Sequence, residues 1–374
     1  MAGDATRLSP SWLEQSKVGG YRIEKLSSLS APKGKRYVCE LTGGSANVAL
    51  VTPFVTLYYG SKSDAVLSWE GIMHKLAPLL GPLRTKPILI GSEEERLKRE
   101  YTMRMSKRAL IDLTRDVAQK FLVQSRYDLA IPGALQSLSF SIEIFGKDHI
   151  EVVPAYLLLA EAFLGKKQFA QAKQYLSLAN WGVLKHPCSN RIRSQLHRNF
   201  GKLFLARGKF QEALEHTAKD VYNMSLEVGP DHVDVTGGYY LLALIFVEMN
   251  KVESALAMFD KVVDVWYTYL GAVRVQGEDA VKELHESQLS KAMEMMRVTS
   301  THRSGFLGAD HIATAESLYT LGLLEILFGD SDSARKNITT ASKVYKAQLG
   351  TDHPSSQDIE MVLKQMNEHP STAA

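Results

Sequence analysis

The chain has 374 residues, of which 45% are apolar and 23% charged, and its formal net charge is +3. This composition is ordinary for a folded protein, and the balance of 44 basic against 41 acidic residues does not indicate a protein that binds nucleic acid or membrane surfaces. Two cysteines, Cys39 and Cys188, are too few for a disulfide framework and fit a reducing compartment.

Residues 1–30 are expected to form an N-terminal extension. Its first twenty residues contain no apolar run of the kind that a secretory signal carries. The longest apolar run of the whole chain, at 239–247, is less than half of the roughly 20 residues that a membrane span needs. We therefore expect a soluble intracellular protein that has neither membranes nor nucleic acids among its partners.

Residues 31–91 are predicted to form a small, separate α+β module. Three short β-favouring runs come first, at 37–39, 48–51 and 54–59. A helical pattern follows over 63–80, because its apolar residues recur on one face, and Gly81-Pro82 is expected to end that helix.

A five-position pattern recurs in the rest of the chain: a small residue, an aromatic at +3, Gly or a polar residue at +7, an aromatic at +9 and Ala at +12. Its five copies begin at Ala118, Ala160, Gly201, Ala243 and Gly322. Small residues at both ends let two helices approach closely, and Gly208 and Gly329 at +7 suit a left-handed turn. This pattern is typical of tetratricopeptide (TPR) helical hairpins.

The spacing of the copies predicts the whole repeat region. The last gap is nearly two periods long, which predicts a degenerate fifth hairpin with Ala280 and Ala292 as its small positions and its second helix at 289–301. The fold class is therefore mainly α: a TPR α-solenoid of about six hairpins over residues 92–350, preceded by the small module. A capping helix and tail are expected at 351–374.

The linkers between hairpins carry a Gly-x-Asp-His motif. It occurs at 146–149, 229–232, 308–311 and 350–353, whereas the second linker reads His186-Pro187-Cys188. Gly is expected to end one helix and Asp to cap the next. The motif resembles the long TPR of kinesin light chains. A metal site shared by the linkers is rejected, because successive turns of a solenoid lie about 10 Å apart and zinc ligands bind at about 2 Å.

A second resemblance covers roughly residues 31–270. The matching segments are 31–36, 58–59, 69–74, 82–85, 92–96, 134–138, 153–162, 188–190, 196–199 and 236–239. In this order they resemble the zinc-finger MYND domain-containing protein 12 family. A MYND finger binds two zinc ions through seven cysteines and one histidine. In this chain only Cys39 and His74 stand at positions that match those ligands. We therefore predict no zinc and no other cofactor, with apolar residues in place of the metal: Leu50, Val51, Phe54 and Leu57.

The repeats predict a protein that binds partners and catalyses nothing. There is no Gly-rich phosphate loop after a strand, no GxSxG and no SET-like segment, and Cys188 near His186 and His197 is interpreted as a structural thiol. The first helices are expected to line a concave binding surface. Its candidate partner-binding residues are Tyr156, Arg198, Asn199, Phe204, Tyr239 and Tyr240.

The second resemblance implies a ciliary function. It implies an accessory subunit of an inner dynein arm, single-headed dynein d, that assembles or docks the arm in the axoneme of a cilium or flagellum. The implied partners are a second TPR protein similar to tetratricopeptide repeat protein 29, the dynein heavy chain and its light chains, and the doublet microtubule. One alternative is a cytoplasmic cargo or assembly adaptor of the kinesin-light-chain type; a remnant methyltransferase is the third hypothesis.

Overall fold

A computed structural model describes residues 20–26, 36–84, 92–276 and 286–368 of this chain. Most of these residues are helical, and a small sheet precedes the helices, so the predicted mainly α repeat fold is confirmed. The chain divides into two compact units, residues 1–168 and 169–374. Among the described residues, none of the helices is both long enough and apolar enough to cross a bilayer.

The first unit contains the sheet and five α-helices among its described residues. Its elements are β1 (Arg22–Lys25), β2 (Val48–Val51), β3 (Thr56–Tyr59), α1 (Lys62–Ser68), a π-helical turn (Trp69–Met73), α2 (His74–Arg84), α3 (Glu93–Val123), α4 (Tyr127–Phe145), a 3₁₀ turn (Ile150–Val152) and α5 (Val153–Gly165).

The second unit is helical throughout its described residues. Its elements are α6 (Phe169–Lys185), α7 (Asn190–Leu205), α8 (Phe210–Val228), a 3₁₀ turn (Val233–Val235), α9 (Thr236–Glu248), α10 (Val252–Gln276), α11 (Glu286–Leu307), α12 (Ile312–Phe328), α13 (Ser331–Leu349) and α14 (Pro354–Glu368). The helix expected after residue 351 is therefore present as α14.

The three strands form an antiparallel sheet in the order β1-β2-β3. Strands β2 and β3 fall within two of the predicted runs, and Val48 pairs with Tyr59 in their register. The run at 37–39 forms only an isolated bridge, Val38 with Ser45. Strand β1 was assigned to the N-terminal extension instead, because Arg22–Lys25 contains a single apolar residue. As an edge strand it needs little burial of its own side chains.

The N-terminal module shares one core with the first helical hairpin, so it is not the separate module that was predicted. Buried residues of the sheet, the π-helical turn and α2 pack in one cluster with buried residues of α3 and α4; its members include Leu50, Leu57, Ile72, Leu76, Leu110, Ile111 and Phe140. At Gly71 an added Cβ would lie 2.9 Å from the carbonyl oxygen of Leu129, so only glycine allows this approach.

Helix α2 also runs through Pro82 to Arg84 instead of ending at Gly81-Pro82.

The repeat pattern is confirmed at its small positions. The first and last residues of all five copies are buried, for example Ala118 and Ala130 in the first copy. An added Cβ at Gly201 would collide with the hydroxyl of Thr217 on the paired helix. All five +7 residues have positive φ, namely Ser125, Lys167, Gly208, Asn250 and Gly329. The turn therefore requires the left-handed conformation even where the residue is not glycine.

The linker histidines cap the helices that follow them. In each Gly-x-Asp-His linker the histidine Nδ1 accepts the backbone N–H two residues later, at 3.2 Å; these histidines are His149, His232, His311 and His353. The predicted capping role is thus confirmed, but its assignment to Asp is wrong. The glycines that begin the linkers, from Gly146 to Gly350, all have positive φ, as a helix C-terminus favours.

The degenerate fifth hairpin contains one well-formed helix. Helix α11 extends beyond the predicted range of 289–301, and Ala280 lies outside the described residues. Gln288 of α11 donates to Asp234 at 3.1 Å, and the ring of His302 stacks on that of Phe259 with centroids 5.6 Å apart. Helix α11 therefore packs beside the start of α9 and along α10, as the next helix of the stack.

Candidate protein-binding surface

The six predicted partner-binding residues lie on first helices of the repeats: Tyr156 on α5, Arg198, Asn199 and Phe204 on α7, and Tyr239 and Tyr240 on α9. Tyr156, in the first unit, is half-buried, and Asn199 is only 5% exposed. Asn199 therefore lies in the interior of the second unit and offers little surface to a partner.

Arg198 belongs to a buried ion pair. Its Nε donates to Asp220 Oδ2 at 2.7 Å, and its Nη2 donates to Asp220 Oδ1 at 3.2 Å and to the carbonyl oxygen of Asp234 at 3.3 Å. Asp220 is fully buried and also accepts a hydrogen bond from Ser194. An added Cβ at Gly237 would lie 2.8 Å from Arg198 Nη1, so this glycine makes room for the guanidinium. Arg198 thus joins α7, α8 and the start of α9, and its predicted contact with a partner stays a prediction.

Phe204 is part of an aromatic cluster between α7 and α8. Its ring lies 5.3 Å from that of His216, and Phe200 lies 4.9 Å from the same imidazole. His216 Nδ1 lies 3.0 Å from His197 Nδ1, a distance at which one ring donates and the other accepts. Burial lowers the pKa of His197 to about 4 and also lowers the pKa of His216. The cluster therefore favours neutral imidazoles.

The two tyrosines of α9 are half-buried against the core that α10 to α14 form. Tyr239 donates its hydroxyl to the carbonyl oxygen of Pro230 at 3.1 Å, which ties α9 to the linker before it. Burial raises the pKa of Tyr240 to about 12. Like Phe204, these residues contribute mainly to packing within the second unit, and each leaves only part of its side chain exposed.

A groove between α7, α9 and α11 lies on the first-helix side of the second unit. It encloses about 320 Å³ and is lined by Leu205, Ala206, Leu244, Val247, Glu248 and His302. Four of these six side chains are apolar, while Glu248 and His302 supply a carboxylate and an imidazole. The imidazole of His302 is held by stacking on Phe259 and Phe306. No sequence motif marks these residues, because the groove exists only where α11 lies beside α9.

Cys39 and His74, the two residues matched to zinc ligands in the sequence, differ in their surroundings. Cys39 is buried and accepts the N–H of Thr42 at 3.4 Å, and an added Cβ at Gly60 would lie 4.0 Å from its sulfur. Thr42 and Gly60 therefore lie beside the thiol, and neither has a side chain of the kind that binds zinc. His74 is exposed and donates its Nδ1 proton to the carbonyl oxygen of Trp69 at 2.8 Å. Within the described ranges, no three His, Cys, Asp or Glu side chains are grouped so that they could hold a metal ion.

The predicted apolar replacements differ in burial. Leu50 and Leu57 are fully buried, Val51 is half-buried, and Phe54 is 57% exposed at the β2–β3 turn. The role proposed for Phe54 is therefore wrong, since its side chain lies outside the core. Leu50 and Leu57 therefore belong to the apolar interior of the module.

Cys188, whose sequence neighbours include His186 and His197, lies in the linker before α7. Its sulfur accepts a hydrogen bond from Arg193 Nε at 3.5 Å, whereas His197 interacts with His216. Ser189 beside it caps α7 by accepting the N–H of Ile192. The geometry is that of a linker between helices.

No family model matches this chain. Among curated proteins it is similar to the clustered mitochondria protein homologs of Aspergillus niger and Aspergillus oryzae, at 23% and 22% identity over 186 residues. The match covers 48% of this chain and only 15% of the length of those relatives. Among solved structures, it is similar to a protein from Podosopora anserina described as a kinesin light chain with nearly identical TPR-like repeats. That likeness covers 64% of this chain and 96% of the other, with 14% identity and a TM-score of 0.33.

Proposed function

We propose that this protein is a non-catalytic adaptor that binds a segment of a partner protein in the groove between α7, α9 and α11. The proposal rests on the groove, because its lining combines four apolar side chains with the polar groups of Glu248 and His302. Its volume of about 320 Å³ lies at the lower end of the range of about 300–1,000 Å³ that is usual for binding pockets. A groove of this kind suits an anchoring apolar side chain of an extended segment or helix.

A charged substitution of one lining residue, Val247, tests whether the groove binds the partner. Val247→Arg is expected to lower partner binding at least about tenfold, because a guanidinium would occupy the place of the anchoring side chain. Val275→Arg is the matched control, since Val275 lies on α10 and is 88% exposed. Both variants are compared with the unchanged protein by co-purification with the partner and by thermal unfolding. Equal partner recovery with Val247→Arg and with the control would contradict the use of this groove.

A more specific form of this proposal places the adaptor in cilia. In it the protein is an accessory subunit of the single-headed inner-arm dynein d, which it helps to assemble on or dock to the doublet microtubule. Its partners are a second TPR protein similar to tetratricopeptide repeat protein 29 and the dynein heavy chain with its light chains. The support is the ordered series of segments between residues 31 and 270 that resembles the zinc-finger MYND domain-containing protein 12 family.

Axonemes that lack this dynein provide the test. The protein is expected to be strongly depleted from them and to co-fractionate with dynein d when normal axonemes are extracted with salt. Undiminished incorporation into dynein-deficient axonemes would argue against the ciliary assignment. That result would not contradict the proposal that the protein is an adaptor that binds a partner in the groove.

A cytoplasmic cargo or assembly adaptor is the second candidate. It is favoured by the four histidine-capped linkers, whose Gly-x-Asp-His motif resembles that of kinesin light chains. The names of the Aspergillus relatives also refer to mitochondria and not to cilia. This candidate requires a mostly soluble cytoplasmic pool and no stable axonemal fraction, so fractionation of ciliated cells separates the two proposals.

A further inference from the structure

Helices α6 and α7, with the turns that follow them, form a segment of one charge sign. Between Phe169 and Gln211 there are eight Lys and Arg residues and neither Asp nor Glu. The chain as a whole has nearly equal numbers of basic and acidic residues, so this imbalance is local. It concentrates positive charge on one part of the second unit.

Three of the eight cations are neutralised by acidic residues outside this segment. Arg198 pairs with Asp220, Arg191 Nη2 lies 2.9 Å from Asp234 Oδ2, and Lys209 Nζ lies 3.0 Å from Glu212 Oε1. Four other cations are exposed and have no acidic side chain within ion-pair distance in the described part of the chain: Lys173, Lys185, Arg193 and Arg207. These four can attract an acidic partner without first giving up an internal ion pair.

The exposed side of α6 also carries large apolar residues. Leu178, Trp181 and Leu184 are 47%, 57% and 72% exposed, and they follow one another at intervals of three residues. The opposite side of the helix is buried through Ala172, Leu176 and Ala179. Helix α6 is therefore apolar on two sides, and only one of them is buried. Such an uncovered apolar row costs free energy in water unless a partner shields it.

Charge and apolar surface meet at Trp181. The Lys185 ammonium lies 5.2 Å from the centre of the indole ring, over its face. This places an exposed cation directly beside the largest exposed apolar side chain of the row. Trp is also the residue type that most often dominates the binding energy of a protein interface.

We propose that the exposed side of α6 is a docking surface for an acidic amphipathic helix of a partner protein. The row Leu178, Trp181 and Leu184 would pack into the apolar stripe of that helix as one helical ridge packs into a groove. Its Asp and Glu residues would face Lys173 and Lys185. The inference rests on the proposed adaptor function, and it adds the chemistry of a partner at a surface distinct from the α7–α9–α11 groove.

Two other partner classes fit these residues less well. A nucleic acid would be held by basic side chains and by aromatic stacking, and it would have no use for two exposed leucines. An anionic membrane would use both charge and apolar residues, but an interfacial helix generally buries a continuous apolar face along its length. On α6 the row covers only residues 178–184, a length that matches two turns of a partner helix.

The test measures binding of a designed peptide to the full chain. The probe is a fluorescein-labelled helical peptide of about 20 residues, with Leu along one face and Glu elsewhere. It is compared with a scrambled peptide of equal composition, with a peptide in which Lys replaces Glu, with single-stranded RNA and with phosphatidylserine vesicles. Binding of the acidic amphipathic peptide is expected to be the tightest of the five, and raising the salt concentration from 50 to 300 mM is expected to weaken it by about fivefold or more.

Two variants locate the binding. Trp181→Ala and Lys185→Glu are each expected to weaken peptide binding by about tenfold. Their controls are Tyr222→Ala, which removes an aromatic side chain that is 64% exposed on α8, and Lys343→Glu, which reverses an exposed charge on α13. All four sites are at the surface, so the thermal midpoints of the variants are expected to stay close to that of the unchanged protein.

Three results would overturn the proposal. They are equal binding of the scrambled and amphipathic peptides, unchanged peptide binding by Trp181→Ala and Lys185→Glu, and tighter binding of RNA or vesicles than of the acidic peptide. Each of them leaves the groove proposal intact, because that proposal is tested by Val247→Arg with its own partner. If Val247→Arg abolishes partner binding and any of these three results is also found, the groove proposal stands. In that case only the proposal for the α6 surface has failed.

Discussion

In the N-terminal module the space between sheet and helices is filled by aliphatic and aromatic side chains, whereas the interior of the α7–α8 hairpin contains charge. Leu50 and Leu57 are fully buried in the module, and Tyr59 adds only one buried hydrogen bond, to Ser68 at 2.8 Å. In the hairpin, fully buried Asp220 holds Arg198 and Ser194. An apolar interior loses stability in proportion to the volume removed. A buried ion pair fails more abruptly, because the remaining charge has no partner.

The largest expected effect comes from breaking the buried ion pair. Asp220→Ala leaves the Arg198 guanidinium without its carboxylate, and we expect it to lower the free energy of unfolding by about 3–5 kcal/mol. Urea denaturation of the full chain measures this loss. Asp332→Ala on α13 is the control, since Asp332 is exposed. A loss no larger than that of the control would mean that Arg198 finds another acceptor.

The apolar interior of the module is tested by Leu57→Ala. Removal of a fully buried leucine side chain is expected to cost about 2–5 kcal/mol. Phe54→Ala, three residues earlier but exposed, is expected to change stability by less than about 0.5 kcal/mol. Both are compared by thermal and urea unfolding. If Phe54→Ala proved as harmful as Leu57→Ala, the core assignment would be reversed.

The aromatic cluster of the hairpin predicts a loss of stability in acid. Burial lowers the pKa of His197 from its ordinary 6.5 to about 4 and lowers the pKa of His216, so the unfolded chain binds protons that the folded chain does not. Stability therefore falls as pH decreases from about 6.5 towards 4. Unfolding measured at pH 7.5 and pH 5 is expected to differ less in the double variant His197→Gln and His216→Gln. An identical pH dependence would place the responsible groups elsewhere.

A smaller effect is expected at the linker caps. His232→Ala removes the acceptor for the backbone N–H of Asp234 and is expected to cost about 1 kcal/mol. His232→Asn keeps a side-chain acceptor of a residue type that caps helices well, so most of the stability should remain. Thermal unfolding of the two variants distinguishes capping from a role of the imidazole ring itself, which would make them equally harmful.

The smallest expected effect is that of metal removal. The module offers Cys39 with Thr42 and Gly60 around it, so we expect no stoichiometric zinc in the purified protein and no shift of the unfolding midpoint with EDTA. Elemental analysis by mass spectrometry provides the count. One or more zinc ions per chain would overturn the apolar description of the module.

The repeat pattern predicted the elements that depend on local chemistry. Buried Ala and Gly at the hairpin crossings, and the left-handed turns at Gly208 and Gly329, follow from the size and backbone freedom of those residues. The same local rules failed where they assigned the cap to Asp instead of His232, because both residue types have a suitable acceptor and the backbone geometry selects between them. They also failed at α2, which continues through Pro82 to Arg84.

Little of the candidate surface could be predicted in this way. Aromatic and basic residues on first helices were chosen by type and position, but Arg198 and Asn199 lie within the packed second unit. The groove residues Val247 and His302 are 55 positions apart in the sequence and carry no motif. The α6 row was visible as Leu178, Trp181 and Leu184, but only packing showed which side of that helix is uncovered.

The sequence by itself determined the repeat fold, its period and the ends of most of its helices, because these follow from conformational limits of single residues and from the spacing of small side chains. Only the tertiary structure decided which side chains are buried in contacts within the protein and which stay exposed to a partner. The reason is that the burial of Arg198 depends on Asp220 and Gly237, and the groove depends on α11 beside α9. Such contacts join residues far apart in the chain, and no local pattern encodes them.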